Sequence, residues 1–323
     1  MDRGQILVSG ANGFIGRRTI KHLLEKSGAV IKVMPGRTQG DVLERDRRID
    51  VLAPREINEE TFWEDSLTGV DVVLHLAARA HVLNEPKGDS LAAFRKVNVE
   101  GSLHLGRQAA QRGIKRFVFI SSIGVNGNEN SKPFKIDDPP HPQEPYAISK
   151  LEAEQGLRQI SEETGMELVI IRPPLVYGPG APGNFGRLAR LVKTGIPLPF
   201  GLVRNRRSLV ALDNLVDLII TCVEHPAAAG QTFLVSDGED LSTPELIRKL
   251  ASAMGRPARL LPVPPAFLRL GGRMLGKGPE VARLLNSLQV DIRHTCKTLD
   301  WRPSISVDEG LKETAEWYMH GSQ

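Results

Sequence analysis

The chain has 323 residues, which is enough for a large hydrophobic core and indicates one large α/β unit or two domains. Hydrophobic residues make up 41% and charged residues 25%, the composition of an ordinary globular protein. The net charge of +4, from 42 basic and 38 acidic residues, is small and spread along the chain, so it gives no reason to expect nucleic acid as a partner, although it suits a small anionic ligand.

The cysteines and the N-terminus bear on the compartment. Cys222 and Cys296 allow at most one disulfide and do not form a metal-type pair, which favours a reducing environment. The chain runs directly into a predicted strand without a basic-then-apolar leader, and no uncharged apolar stretch reaches the roughly 18 residues of a membrane-spanning helix. We therefore expect a cytoplasmic protein without a membrane span. The histidines are scattered and no metal-binding motif occurs, so no metal is expected.

Short apolar runs alternate with segments of helical periodicity up to residue 172. In chain order they are a strand "QILVSG", a helix "GFIGRRTIKHLLEKSG", strands "AVIKVM" and "DVVLHLA", a helix "SLAAFRKVNVEGSLHLGRQAAQRG", a strand "RFVFISS", a helix from Tyr146 to about Thr164, and a strand "ELVIIRP". Nearly all-apolar strands that alternate with helices predict a parallel sheet covered on both faces. The predicted fold class is α/β, with a Rossmann-type doubly wound sheet.

The pattern changes at Pro173, where "PPLVYGPGAPGN" is rich in proline and glycine. Residues 1–172 are predicted to form the Rossmann domain and residues 173–323 mainly a smaller C-terminal lobe. Strand segments near 208–236, including "QTFLVSD", are expected to return to the main sheet. The amphipathic segment from Pro262 to Gly276 is interpreted as a helix whose apolar face packs against the lobe, rather than as a helix lying on a membrane.

A glycine-rich turn, "SGANGFIG", joins the first strand to the first helix and contains Gly10, Gly13 and Gly16. Glycine lets the backbone turn tightly and approach phosphates, and the helix that follows offers free N–H groups and a partial positive charge. The spacing G-x-x-G-x-x-G differs from the standard G-x-G-x-x-G, and glycine turns also serve packing. The position after the first strand nevertheless favours a dinucleotide site, so residues 1–172 are predicted to bind NAD(P).

The end of the second strand bears on which dinucleotide binds. An acidic residue there would hold the adenosine ribose of NAD, but the stretch "VMPGRTQG" carries Arg37 instead. An arginine favours the 2′-phosphate of NADP, although Arg37 is also compatible with a solvated loop, and the nearby Asp41 is within reach of a ribose. We favour NADP(H) over NAD(H).

Tyr146 and Lys150 lie four residues apart at the start of a predicted helix, so they share one face. They are either an ordinary surface pair or a catalytic acid and a cation that shifts the pKa of that acid. A free tyrosine has a pKa near ~10, and an ammonium group together with an oxidised nicotinamide favours the phenolate. Ser122 follows a buried strand at the edge where such folds bind ligands, and its hydroxyl is placed either to bond a reacting oxygen or to cap a turn.

These motifs together carry a resemblance. The glycine turn, "HLAA", "SSIGVNG", "YAISK" and "RPPLVYGPG" occur in this order with suitable spacing over nearly the whole chain. The chain resembles the extended short-chain dehydrogenase/reductases, and within them the branch that contains UDP-galactose 4-epimerase and related nucleotide-sugar enzymes. The resemblance implies that Ser122, Tyr146 and Lys150 act on the C4 oxygen of a UDP-sugar, that Lys150 also holds the nicotinamide ribose, and that residues 173–323 bind this substrate.

The resemblance also implies further site residues. Arg207 would bind the substrate diphosphate, within a basic cluster that includes Arg204 and Arg206, and Asn184 is a weaker substrate candidate. A homodimer packed through two long helices is implied as well. The residues expected to contact the cofactor, besides the three turn glycines, Arg37, Tyr146 and Lys150, are Phe14, Ile15, Glu56, Ile57, Leu76, Ala77, Ala78, Asn98, Pro173 and Val176.

The chain departs from the family pattern at three places. Ser122 is followed by Ile123 and Gly124 rather than by the Asp-Glu pair of the 4,6-dehydratases, which argues against dehydration. Leu175 stands where the epimerase has an asparagine that contacts the substrate phosphate, and Arg37 stands in place of the acid of an enzyme that retains NAD.

Three functions remain open. The stretches "LPFGLVRNRRSLVALDNLVD", "HLAARAHV" and "SLQVDIRHTCKTLDWRP" resemble bacterial UDP-N-acetylquinovosamine dehydrogenases. The main hypothesis is therefore reduction of the C4 ketone of a UDP-4-keto-6-deoxy-N-acetylhexosamine for surface polysaccharide. The first alternative is a 4-epimerase of UDP-N-acetylglucosamine or UDP-glucose that retains NAD. The second is a non-catalytic NADP(H)-binding regulator, against which the intact Ser122, Tyr146 and Lys150 argue.

Overall fold

A computed structural model describes residues 4–35, 46–53, 55–80 and 90–321. Its main element is a seven-stranded sheet in the order β3-β2-β1-β4-β5-β6-β9, in which every neighbouring pair is parallel. The central strands β4 and β5 are buried along their whole length because helices cover both faces, which confirms the doubly wound α/β fold. The strands are β1 (Gln5–Ser9), β2 (Val30–Met34), β3 (Ile49–Val51), β4 (Val72–His75), β5 (Arg116–Ile120), β6 (Glu167–Arg172) and β9 (Thr232–Leu234).

Two helical layers enclose this sheet. One face is covered by α1 (Phe14–Lys26) and α7 (Leu212–Glu224), which share a hydrophobic cluster with alternate strand residues. The other face is covered by α4 (Ser102–Gln111) and α5 (Pro145–Thr164), with the short α2 (Glu64–Leu67) beside them. The predicted helix over 90–113 forms as α3 (Ser90–Arg95), a π-helical turn (Lys96–Gly101) and α4. A π-turn inside a helix often marks a functional position.

The C-terminal lobe is built on a three-stranded sheet in the order β10-β8-β7. The strands are β7 (Leu175–Tyr177), β8 (Arg207–Ala211) and β10 (Asp240–Leu241), and the helices are α6 (Gly183–Thr194), α8 (Thr243–Ala253), α9 (Pro265–Met274), α10 (Gly278–Leu285), α11 (Arg293–Leu299) and α12 (Val307–His320). Capping boxes at Ser242 and Ser306 fix where α8 and α12 begin. A second core, including Tyr177, Phe185 and Leu250, packs α6, α8 and α12 on this small sheet.

Two expectations about the C-terminal part need correction. Of the segments near 208–236, β9 does join the main sheet beside β6, but β8 belongs to the small sheet because it pairs with β7 and β10. The predicted packing of the amphipathic segment against the lobe is wrong for much of α9, because Phe267, Leu270 and Met274 are exposed. Among the described residues, no helix combines the length and the apolar character needed to cross a membrane.

Candidate active site

The glycine turn follows the carboxyl end of β1, at the edge of the sheet where a ligand is expected. Gly10 has a φ of 76°, and a Cβ placed on it would lie 2.7 Å from the backbone nitrogen of Ala77. A Cβ on Gly16 would lie 2.3 Å from the carbonyl oxygen of Gly10, so a glycine is needed for the helix to pack on the turn. Both positions therefore need glycine for close backbone approach.

The first turn of α1 fits a pyrophosphate. Helix α1 begins at Phe14, and Gly13 before it provides no side-chain cap, which leaves first-turn N–H groups available to an anion. The side chains of Phe14 and Ile15 pack against the hydrophobic cores, so their backbone N–H groups are the parts that could face a phosphate. The end of β4 completes this edge, since Leu76 donates its N–H to Ser9 at 3.2 Å and Ala77 lies beside Gly10.

A buried histidine, which the sequence reasoning missed, ties these elements together. The Nδ1 of His75 lies 2.6 Å from the Oγ of Ser9, and its Nε2 lies 2.8 Å from the Oγ of Ser102 on α4. Burial, together with the smaller effect of the charge of Lys150, lowers the pKa of His75 to about 3. A neutral imidazole therefore holds the ends of β1 and β4 against α4.

Asn98 lies in the π-helical turn and is buried. Its Oδ1 accepts the backbone N–H of Arg79 at 2.8 Å, and its Nδ2 donates to the carbonyl of Arg79 at 3.1 Å and to the Oγ of Ser149 at 3.0 Å. These bonds use both the oxygen and the nitrogen of the Asn98 amide. Asn98 therefore positions Arg79, in the segment after β4, and Ser149, the residue before Lys150. A direct contact between Asn98 and a cofactor stays a prediction.

Helix α5 presents Tyr146 and Lys150 as the sequence predicted. Pro145 occupies the first helical position, where its fixed φ suits a helix start, and Gly165 ends the helix with a φ of 76°. Half-buried Tyr146 packs edge-on against Phe94, with ring centroids 6.0 Å apart. Lys150 is 1% exposed, and its Nζ lies 4.2 Å from the centroid of the Phe119 ring. Within the described part of the chain this ammonium group makes no hydrogen bond or ion pair, so it is available to a ligand hydroxyl.

Burial sets the titration of this pair in the protein alone. It raises the pKa of Tyr146 to about 12. It also lowers the pKa of Lys150 to about 7, against an opposing effect of Glu154. The expected lowering of the tyrosine pKa is therefore absent from the protein alone, and phenolate formation depends on positive charge supplied when the site is filled and Lys150 is protonated.

Ser122 follows β5 and reaches the start of α5. Its Oγ accepts the backbone N–H of Gly124 at 3.1 Å and caps a short 3₁₀ helix, so the alternative of a capping serine is correct. The hydroxyl proton is still free to be donated to a substrate oxygen. A Cβ on Gly124 would lie 3.2 Å from the Cβ of Ala147 and 3.3 Å from the Oγ of Ser122. The loop that carries Ser122 therefore touches the residue next to Tyr146.

A buried ion pair behind these residues was not predicted from the sequence. Glu154, one turn after Lys150, accepts from the Nε and Nη2 of Arg172 at 2.9 and 2.5 Å. The Oγ of Ser121 donates to the same carboxylate at 2.5 Å, and Arg172 also donates to the Oδ1 of Asn126 at 3.0 Å. An apolar-looking strand, "ELVIIRP", that ends in arginine at the ligand edge was the available signal.

The predicted substrate arginine lies at the first position of a strand of the small sheet. Arg207 begins β8, and its Nη1 donates to the carbonyl of Asn286 at 3.1 Å. Burial, together with the smaller effect of the charge of Arg283, lowers the pKa of Arg207 to about 10. Arg283 in turn pairs with Glu144 at 2.6 Å, at the start of the Tyr146 helix. Arg207 has no acidic partner among the described residues and lies near a second arginine, an arrangement that suits a diphosphate; the sequence reasoning missed Arg283.

The other predicted substrate residues are distributed differently. Arg204 and Arg206 are both exposed. Arg204 lines a cavity of about 740 Å³ with Asn205, Arg269, Asn286 and Glu129, and Arg206 is not part of that lining. Asn184 lies half-buried in the first turn of α6, and no described contact joins it to Arg207 or Tyr146.

The remaining predicted cofactor residues lie around the same sheet edge or outside the described residues. The carbonyl of Glu56 accepts the hydroxyl of Thr61 at 2.5 Å. Ile57 packs against Gly101, and Val176 packs against the first core. The carbonyl of Pro173 accepts the N–H of Ile123 at 3.0 Å. Arg37 and Asp41 lie outside the described residues. The described residues contain no cluster of three or more His, Cys, Asp or Glu side chains that could hold a metal ion.

Comparisons with known proteins agree with this geometry. Residues 6–236 match the model of the NAD dependent epimerase/dehydratase family. The chain is 45% identical over 322 residues to the UDP-glucose 4-epimerase of Vibrio cholerae, which covers 98% of this chain and 96% of that protein. A solved UDP-glucose 4-epimerase of Thermotoga maritima with UDP-glucose has a TM-score of 0.78 at 26% identity, covering 98% of this chain and 99% of that one.

A further solved structure supports the fold. The UDP-glucuronic acid 4-epimerase of Bacillus cereus in complex with NAD has a TM-score of 0.80 at 23% identity, covering 98% of this chain and 99% of that chain. The resemblance to the extended short-chain dehydrogenase/reductases and their nucleotide-sugar branch is thus confirmed. The chain belongs to the NAD dependent epimerase/dehydratase family, whose chemistry takes place at a CH–OH group of a nucleotide sugar.

Proposed function

We propose that this protein is a UDP-hexose 4-epimerase that keeps one NAD bound through the reaction cycle. The observation that carries the proposal is the joint placement of Ser122, Tyr146 and Lys150 at the carboxyl edge of the sheet, next to an uncapped helix start. The 45% identity to a protein named UDP-glucose 4-epimerase supports epimerisation over the net reduction that the sequence first favoured.

NAD, when bound, supplies a hydride acceptor and then a hydride donor at sugar C4. Tyr146, as phenolate, accepts the proton of the C4 hydroxyl and returns it once the sugar has presented its other face. Since the pKa of Tyr146 is about 12 in the protein alone, a protonated Lys150 beside it is needed to favour the phenolate. Ser122 holds the reacting oxygen in place through its free hydroxyl proton.

Binding of the rest of the substrate falls to the lobe. A UDP diphosphate carries negative charge that Arg207 and Arg283 would bind from one side of the cleft. Because the diphosphate lies away from C4, this contact anchors the nucleotide while the sugar turns. The adjoining cavity, lined by Arg204 and Asn205, offers space for the remainder of the nucleotide.

The test is to incubate the purified protein with UDP-glucose, and separately with UDP-N-acetylglucosamine, without added cofactor. The expected result is an equilibrium mixture of the C4 epimers, together with stoichiometric NAD in the supernatant after denaturation. The epimerase proposal would be wrong if neither sugar gave its C4 epimer. If a UDP-4-keto-6-deoxy-N-acetylhexosamine also oxidised added NADPH, the protein would be assigned as the reductase.

That reductase is the second candidate, because of Leu175. In an epimerase this position carries an asparagine that contacts the substrate phosphate, but Leu175 is an apolar residue of β7 that packs against the second core. A preference for NADP(H), the homodimer and the cytoplasmic location stay predictions that this proposal does not depend on.

A further inference from the structure

Helix α9 carries an uncovered apolar ridge. Phe267 is 66%, Leu270 56% and Met274 80% exposed, and Leu275, which follows the helix, is 76% exposed. Positions 267, 270 and 274 are three and four residues apart, so these side chains lie along one side of the helix. Four large apolar side chains on one short segment form a contiguous patch rather than scattered exposure.

The opposite side of α9 anchors it to the lobe. Gly272 is buried, and a Cβ placed on it would lie 2.8 Å from a methyl carbon of Val281 on α10. The Nη2 of Arg269 donates to the Oδ1 of Asn286 at 3.1 Å, beside the cleft. The helix is therefore held in place by one side while the ridge points away from the protein.

The sequence around the ridge is strongly basic, so the expectation that the excess charge is spread along the chain is wrong here. Residues 246–279 contain seven basic residues and no acidic residue, so the rest of the chain sums to −3 against the net charge of +4. Within the described residues, Arg256, Arg259, Arg273 and Lys277 are exposed and form no ion pair. The seven are Arg248, Lys249, Arg256, Arg259, Arg269, Arg273 and Lys277.

We infer that α9 docks this protein on an anionic lipid bilayer, with the ridge in the headgroup region and the basic residues on lipid phosphates. An apolar ridge with cationic flanks is what a bilayer surface selects, since burial of the ridge and attraction to anionic lipid add together. A second copy of this chain is a poorer occupant, because a two-fold interface would place this basic surface against itself. Because Pro265 and Arg269 line the 740 Å³ cavity, docking would hold the substrate cleft close to the membrane.

The experiment is co-sedimentation of the full-length protein with vesicles of phosphatidylcholine alone, and with vesicles in which one third of the lipid is phosphatidylglycerol. We expect binding to the anionic vesicles only, weakened by salt. Phe267→Gln with Met274→Gln should lower the partition coefficient by at least tenfold. Arg273→Gln with Lys277→Gln should lower it by roughly 30-fold, at about fivefold for each cation near the surface. Turnover in solution should not change in either variant.

Matched variants separate the ridge from general stickiness. Phe62→Gln removes a 53% exposed apolar side chain from the Rossmann domain, and Lys21→Gln with Lys312→Gln removes two exposed cations elsewhere, so both variants should bind vesicles like the wild type. The inference is overturned if the wild type stays in the supernatant with anionic vesicles, or if the ridge variant sediments as well as the wild type. It is also overturned if light scattering shows that the ridge variant splits an oligomer, which would assign the ridge to a second copy. The readout is binding, so this test is independent of the proposed function.

Discussion

Glu154, one turn after Lys150 on α5, forms a two-bond ion pair with Arg172, and both side chains are almost completely buried. The pair joins α5 to the end of β6, and Ser121 bonds the same carboxylate from the end of β5. The carboxylate of Glu154 therefore joins α5, the end of β5 and the end of β6. Two of these elements, α5 and the end of β5, position Tyr146, Lys150 and Ser122. The charge of Glu154 also raises the pKa of Lys150 against the effect of burial.

The first prediction is that Glu154→Gln impairs catalysis through Lys150. Loss of the carboxylate charge should lower the lysine pKa further below about 7, so that less ammonium is present at neutral pH. The alkaline limb of the turnover–pH profile should therefore move to lower pH, with activity partly restored on acidification. Removing one partner of a buried pair should also cost about 3–5 kcal/mol in unfolding free energy.

The matched control for this variant lies on the same helix. Glu152 pairs with the exposed Arg95 at 2.5 Å, so Glu152→Gln should cost no more than ~1 kcal/mol and leave the pH profile in place. A Glu154→Gln profile that coincides with the wild-type profile, whatever the stability loss, would reduce Glu154 to a purely structural role.

The second prediction concerns Tyr146, the residue proposed to transfer the proton at O4. Tyr146→Phe keeps the ring that packs on Phe94 but lacks the hydroxyl. Turnover should fall by roughly 10²–10⁴-fold, the range for loss of a general acid–base group, while the amount of cofactor released on denaturation stays the same. Retention of wild-type turnover would show that another group moves the proton.

The sequence predicts the Rossmann sheet and the two motif sites because both depend on local spacing. Alternating apolar strands, a glycine turn and a tyrosine four residues before a lysine are visible without the fold. The contacts of His75, Glu154 and Arg283 are not visible in this way, because their partners are between 18 and 139 residues away. The exposure of α9 was misjudged for a related reason, since amphipathic periodicity identifies an apolar face without showing what covers it.

The third prediction is an acid sensitivity that arises from His75. Its folded pKa is about 3 whereas an unfolded histidine titrates near ~6.5, so between these values the unfolded chain binds the extra proton. Stability from this group is therefore complete above ~6.5 and falls as the pH drops, by about 1.4 kcal/mol per unit. Urea unfolding of the wild type and of His75→Gln should be measured at pH 7 and at pH 5. The free energy of unfolding should fall less between these pH values in the variant than in the wild type. Equal losses would mean that His75 is not neutral and buried.

The fourth prediction concerns the cofactor preference expected from Arg37. If Arg37 binds a 2′-phosphate, Arg37→Ala should weaken NADPH binding by about 1.5–3 kcal/mol and leave NADH binding nearly unchanged. Fluorescence titration of protein stripped of cofactor measures both. An equal effect on the two dinucleotides would remove the basis for the NADP(H) preference and leave the retained NAD of the proposed epimerase.

The last prediction concerns Arg207 and Arg283 as the binding site of the diphosphate. Arg207 is half-buried near Arg283, and its described side-chain hydrogen bond is to a carbonyl rather than to an acid, so its charge is available to an anion. The diphosphate lies away from the reacting carbon, so its binding energy should be similar in ground and transition states. Arg207→Ala should therefore mainly raise the Michaelis constant, with a smaller fall in turnover if the sugar loses alignment.

Binding of free UDP to variants of the two arginines tests this assignment directly. Loss of a charged hydrogen bond should weaken free UDP by about 1.5–3 kcal/mol in calorimetry, and Arg207→Lys should recover only part of this, because lysine lacks the planar fork. Arg283→Ala should weaken UDP too, although it also breaks the pair with Glu144. Arg206→Ala, next to Arg207 but exposed, is the matched control and should bind UDP like the wild type. Unchanged UDP binding in Arg207→Ala, together with loss of bound NAD, would move Arg207 from the substrate site to the cofactor site.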